Sequence, residues 1–195
     1  MKKHKMTSKT SNIKEIINDG DWTLFLDRDG VINRRLVDDY VKKTSEFEFL
    51  PKVLESIAIF SKVFKYVFIV TNQQGIGKGL MSEADLEIIH RKMVQKIEAQ
   101  GGRIDKIYHC PDLASSNSEN RKPEIGMALQ AQKDFPDIEF SKSLMAGDSK
   151  GDIRFGKNTG MTTVFINSDK LDTDFDADFA FESLGKFGDE IGIID

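Results

Sequence analysis

The feature that most constrains this chain is a set of short apolar runs without polar alternation: Trp22-Thr-Leu-Phe-Leu26, Tyr66-Val-Phe-Ile-Val70, Ile104 to His109, Ser143 to Ala146, Thr163 to Ile166 and Asp178 to Phe181. A strand with one wet face alternates in polarity, whereas a continuous apolar run suits a strand covered on both faces. Helical patterns separate these runs. The clearest is Ser82 to Gln100, where Ser82 and Asp85 form a capping box and Gly101-Gly102 ends the helix. Leu86, Ile89, Met93 and Ile97 make its apolar stripe, and His90 falls off that stripe as an expected surface residue. Pro51 to Phe60, Ile125 to Phe135 and Gly151 to Asn158 read as shorter helices. The alternation predicts an α/β fold, a three-layer α/β/α sandwich around a mostly parallel sheet.

At 195 residues the chain fits one domain. Residues 1–20 read as a polar tail with Lys2, Lys3 and Lys5, leading into a short helix around Ile13 to Ile17, and 21–195 as the domain. No apolar run follows the first lysines as a secretory signal requires, and none approaches the ~18–20 residues of a membrane span. The single cysteine excludes an internal disulfide. A formal charge of -4 argues against a protein that holds nucleic acid mainly by charge. The composition points to a soluble intracellular domain; a cytoplasmic location, a monomer and no membrane partner are the expectations.

In a parallel sheet, ligands gather beyond the carboxyl ends of the strands, and the residues there carry chemistry. Asp27-Arg-Asp29-Gly30 follows the first run. Two carboxylates so close repel unless a cation or proton is shared, and a hard divalent cation takes oxygen ligands. Thr71-Asn72-Gln73-Gln74-Gly75-Ile76-Gly77-Lys78-Gly79 follows the second. Its hydroxyl, amides and exposed N–H groups suit a phosphoryl group, although the spacing is not that of a P-loop. Arg121-Lys122-Pro123 precedes a helix, with Pro123 placed for a helix start, and Gly147-Asp148 to Asp152 follows the fourth run. Each alone is compatible with a solvated turn. Together they supply charge neutralisation, a nucleophile, a proton carrier and oxygen donors, the parts phosphoryl transfer needs.

With these motifs the chain resembles the haloacid dehalogenase (HAD) superfamily, whose four motifs match at Leu24 to Val31, Val70 to Asn72, Arg121 to Pro123 and Ala146 to Asp152. The likeness is closest to the histidinol-phosphatase and heptose-bisphosphate phosphatase branch, carried by Asp27 to Asn33, Thr71 to Gly79, Tyr40-Val41 with Phe47 to Pro51, and Arg121 to Met127. The resemblance implies a Rossmann-like fold without a large cap domain and a Mg²⁺-dependent phosphomonoester hydrolase. In it Asp27 is the nucleophile, forming an aspartyl-phosphate, and Asp29 is the general acid and base. Asp27, Asp148 and the backbone carbonyl of Asp29 hold Mg²⁺. Thr71, Asn72 and Lys122 serve the phosphoryl group, Arg121 contacts substrate, and Asp152 positions Lys122 or a metal-bound water. The implied substrate is a small phosphorylated metabolite, heptose 1,7-bisphosphate first and histidinol phosphate second.

Polynucleotide 3′-phosphatases share a segment similar to Thr71 to Gly79, so action on nucleic-acid ends is the alternative, disfavoured by the net charge. A silent binding module is the third reading, opposed by a competent residue at every catalytic position. Asp172 to Asp178 alternate like a calcium loop, but Ala177 stands where glycine is required, so a solvated acidic turn is expected. Many members of the branch carry a Cys/His zinc loop; here Cys110 to Asn120 holds one cysteine, with His109 before it. Tetrahedral zinc needs four such ligands, so Ser115 to Asn120 is expected to be a mobile polar loop without zinc. Elemental analysis of the purified protein should return no stoichiometric zinc.

Overall fold

The computed structural model describes residues 13–18, 20–167 and 176–192. Among them six strands form one sheet: β1 (Thr23–Leu26), β2 (Tyr66–Asn72), β3 (Lys106–Cys110), β4 (Ser143–Gly147), β5 (Thr162–Ile166) and β6 (Phe179–Phe181). Their order is β3-β2-β1-β4-β5-β6 and every pairing is parallel. This is the doubly wound Rossmann-like arrangement, and the strand order reverses between β1 and β4. Leu26 is in register with Ile69 on one side and Ala146 on the other, so β1, β2 and β4 discharge their next residues at one edge.

The two sheet faces read directly from strand alternation. Leu24, Leu26, Val67 and Ile69 point into a core built with α1 (Ile13–Ile17), α2 (Val53–Val63), α3 (Glu83–Ala99) and α6 (Leu184–Gly192). Phe25, Phe68, Val70 and Met145 point the other way, against α4 (Gly126–Asp134) and α5 (Lys150–Thr159). Phenylalanines fill both layers: Phe25, Phe68 and Phe135 form a chain of tilted ring contacts on the second, Phe60, Phe187 and Phe181 on the first. Ile13 and Ile17 are buried in the first core, so packing begins ahead of residue 21.

Helix α6 escaped the sequence reading. Its stripe, Leu184, Phe187 and Ile191, has helical spacing, but Gly185, Gly188 and Gly192 depress helix propensity. The glycines face α2: a Cβ on Gly188 would lie 2.6 Å from the Ser56 Cβ, and one on Gly192 2.9 Å from an Ile59 methyl. They are the residues that let two helix backbones approach closely. Pro123 does not open α4 as expected. It lies ahead of Gly126 in a turn closed by Gly126 N–H on the Glu119 carbonyl at 2.8 Å, and the Lys122-Pro123 peptide is cis. Asp172 and Asp174 lie outside the described residues. Asp178 is not simply solvated: it accepts from the Thr163 N–H at 2.8 Å and pairs with Lys157.

His90 corrects a second expectation. It is buried, not at the surface, because it stands one turn from both Leu86 and Met93, at the edge of the stripe, against the fully buried Arg28. Its Nε2 lies 3.0 Å from Arg28 Nη1. Arginine has no lone pair to offer, so Nε2 must accept and the ring is neutral with its proton on Nδ1. Burial and the Arg28 charge push its pKa down to about 3. His90→Leu should therefore cost about 1–3 kcal/mol by leaving a buried donor unpaired, and His90→Gln less. Below pH ~6.5 the unfolded chain takes a proton that the folded chain refuses, so stability falls with acidification. Denaturant titrations at pH 7.5 and 5 should show wild type losing stability against His90→Gln by up to about 1.4 kcal/mol per unit.

Candidate active site

The edge where β1, β2 and β4 end carries a cavity of about 190 Å³ lined by Asp27, Asp29, Arg35, Thr71, Lys122 and Asp152 among others. Asp27 follows β1 directly and donates its N–H to the Ala146 carbonyl of β4 at 2.9 Å, extending the sheet by one bond. The chain then turns sharply. Arg28 O accepts from the N–H groups of Ile32 and Asn33, at 2.8 and 3.1 Å, and Gly30 sits at φ +99°. No side chain fits at Gly30, since a Cβ would collide with the Asp148 carboxylate. The glycine thus lets the β1 turn and the β4 turn bring their acids together.

Asp27, Asp148 and Asp152 place carboxylate oxygens within 4.8 Å of one another. Lys122 Nζ stands among them, 2.6 Å from Asp27 Oδ1 and 2.7 Å from the Val70 carbonyl, and is also paired with Asp152. Burial alone would lower the lysine pKa, but the two carboxylates carry it above the ordinary value. Asp27 is pushed up to about 6 by burial and by Asp152 and Asp29, against the pull of Lys122. Asp148 is pushed up to about 7 by burial and the Asp27 charge, with Arg35 opposing. Both shifts come first from burial, with the mutual repulsion of the clustered carboxylates added to it.

Asp29 is the opposite case. Burial would raise it, but Arg28 Nη2 reaches both carboxylate oxygens, at 3.0 and 2.8 Å, and the Asn33 and Gln73 amides add bonds at 2.9 and 2.8 Å. These donors favour the ionised form, and its pKa lies below the usual carboxylate value. The neighbouring carboxylates thus differ in balance: the donors around Asp29 outweigh its burial, whereas the single cations on Asp27 and Asp148 do not outweigh theirs.

The remaining residues fall into two groups. Asn72 clamps Lys122 by its main chain, accepting the Lys122 N–H at 3.1 Å and donating to the Lys122 carbonyl at 3.2 Å. Thr71 is buried at the cavity floor and accepts from Gln73 Nε2 at 2.8 Å. Asp152 caps α5 reciprocally with Ser149 while holding Lys122. Arg121 is not among the lining residues; its Nη1 donates to the Asp112 carbonyl at 3.2 Å. Cys110 is buried at the end of β3, and Lys78 lies over the Tyr40 ring.

Sequence reading missed Arg35, Gln73 and the supporting roles of Arg28 and His90. Arg35 has no motif around it. Gln73 was in plain view inside the Gly-rich segment, but nothing in one sequence ties its amide to Asp29.

The donor set fits a hard divalent cation, being made of oxygens only. Asp27, Asp148 and Asp152 each offer a carboxylate oxygen close enough to the others to hold one such ion.

A family described as polynucleotide kinase 3 phosphatase matches residues 6–187. A D-glycero-alpha-D-manno-heptose-1,7-bisphosphate 7-phosphatase of Mycobacterium bovis is 37% identical over 174 residues, 88% of this chain and 92% of its own length. A D-glycero-beta-D-manno-heptose-1,7-bisphosphate 7-phosphatase of Rhodopseudomonas palustris is 35% identical over 76% of this chain and 84% of its own. The crystal structure of a D,D-heptose 1,7-bisphosphate phosphatase from B. bronchiseptica, complexed with magnesium and phosphate, superposes with a TM-score of 0.78 at 27% identity, covering 87% of this chain and 97% of that one. With the sheet order, the four loop motifs and the carboxylate cluster in agreement, the chain belongs to the polynucleotide kinase 3 phosphatase family of HAD enzymes and is a phosphatase.

Proposed function

We propose that this enzyme hydrolyses heptose 1,7-bisphosphate, or a closely similar sugar phosphate, through an aspartyl-phosphate on Asp27. The observation that carries the reading is the Asp27 carboxylate itself: it lies at the strand switch point, 2.6 Å from a buried lysine and beside two further acids. An oxygen of Asp27 attacks phosphorus, the bond from phosphorus to the ester oxygen breaks, and protonated Asp29 delivers its proton to the departing alkoxide. Asp29 then takes a proton from the water that attacks the aspartyl-phosphate, and Asp27 is regenerated as inorganic phosphate leaves. The donors around Asp29 favour its ionised form, which suits the second half of this cycle. Lys122 and the Thr71 hydroxyl bind phosphoryl oxygens, Asn72 fixes the Lys122 main chain, and Asp152 fixes its ammonium group. Mg²⁺, when bound by Asp27, Asp148 and the Asp29 carbonyl, supplies the Lewis acid that offsets the phosphoryl charge.

The substrate class is supported by the relatives named for heptose 1,7-bisphosphate, with both anomers represented among them. Histidinol phosphate is the second choice. Hydrolysis of nucleic-acid 3′-phosphates is a separate reading, supported by the description of the matching family; turnover that falls steeply with salt on DNA ends would favour it. In a phosphate-release assay with Mg²⁺, heptose bisphosphate should outperform histidinol phosphate and a 3′-phosphorylated oligonucleotide. Asp27→Asn should lower turnover by more than about 10³-fold with an unchanged circular-dichroism spectrum. Retained activity in that variant would remove Asp27 as the nucleophile.

A further inference from the structure

Arg35 follows the turn that ends at Asn33, and its guanidinium is bonded to two of the oxygens assigned above to Mg²⁺. Nη2 lies 2.7 Å from Asp148 Oδ1 and 2.9 Å from the Asp29 carbonyl, and Nε lies 3.2 Å from the same carbonyl. A divalent cation taking Asp148 Oδ1 and the Asp29 carbonyl would meet the guanidinium at the same oxygens, and like charges a few ångströms apart repel. Arg35 and the metal therefore compete for these oxygens.

The side chain is situated to leave. It is 50% exposed, whereas the other cations of the cavity, Arg28 and Lys122, are 1% and 3% exposed. Those two are also committed: Arg28 lies along Asp29, and Lys122 is shared between Asp27 and Asp152. Arg121 donates to a main-chain carbonyl beyond the cavity lining. A substrate with a second phosphate, entering with its reacting end at Asp27, meets one lining cation that is half exposed. A planar guanidinium fork is well matched to phosphate oxygens.

We propose that Arg35 is a displaceable cation: it holds Asp148 and the Asp29 carbonyl until Mg²⁺ takes them, and it then binds the anionic group of the substrate that is not hydrolysed. The inference rests on the assignment of Mg²⁺ to Asp27, Asp148 and the Asp29 carbonyl. It makes Arg35 a specificity residue for bisphosphates and places metal binding ahead of productive substrate binding.

Calorimetric titration with Mg²⁺ alone tests the first half, on wild type, Arg35→Gln and Asp148→Asn. Arg35→Gln removes the competing charge and should bind Mg²⁺ roughly threefold to tenfold tighter than wild type. Steady-state kinetics at saturating Mg²⁺ test the second half. Arg35→Gln should raise KM for heptose 1,7-bisphosphate about tenfold while leaving KM for heptose 7-phosphate within about twofold of wild type. Unchanged or weaker Mg²⁺ binding by Arg35→Gln overturns the proposal, and so do equal effects on the two substrates. Absent Mg²⁺ binding by wild type, or undiminished binding by Asp148→Asn, overturns instead the metal assignment beneath it.

Discussion

The Lys122 ammonium group is the contact on which the active edge depends. It bonds at once to Asp27 beyond β1, to the Val70 carbonyl within β2 and to Asp152 in α5, so three separately folded segments converge on one nitrogen. Burying a charge is costly unless it is paired and hydrogen-bonded. That cost explains the surrounding detail. Asn72 holds the lysine main chain from both sides, and Asp152 is itself immobilised as a helix cap. Without the lysine, two buried carboxylates would face each other unpaired, a far larger penalty than the loss of a surface ion pair.

The same economy of charge separates the roles of neighbouring acids. Asp27 and Asp29 are two residues apart, yet Asp27 is pushed up to about 6 while Asp29 is held below the usual range. The difference comes from direction. The strand geometry sends Asp27 toward Asp148 and Asp152, and the turn at Gly30 sends Asp29 toward Arg28, Asn33 and Gln73. Two carboxylates of identical chemistry, two residues apart, are in this way given different environments.

Much of this was legible in the sequence, for a physical reason. Strands buried on both faces leave continuous apolar runs, and a parallel sheet sends their carboxyl ends to one edge, so Asp27, Thr71 and Asp148 could be placed together from spacing alone. The capping box at Ser82 and Asp85 is a local rule and formed as written. What failed was either non-local or self-cancelling. Helix α6 carries an apolar stripe and three glycines, and the glycines make sense only beside α2, from which they are remote in sequence. His90 looked polar and off-stripe because its partner, Arg28, lies 62 residues earlier. Arg35 stands beside Asp148 only once the chain is folded.

The fully buried Arg28 ties the pocket to a helix that lines none of it. One nitrogen of its guanidinium rests on His90 in the middle of α3 and another holds both oxygens of Asp29. Helix α3 is therefore divided along its length: Glu87 and Arg91 face solvent, whereas His90 bears on the guanidinium that holds Asp29. The surroundings of Asp29 thus depend on a helix position outside the cavity lining.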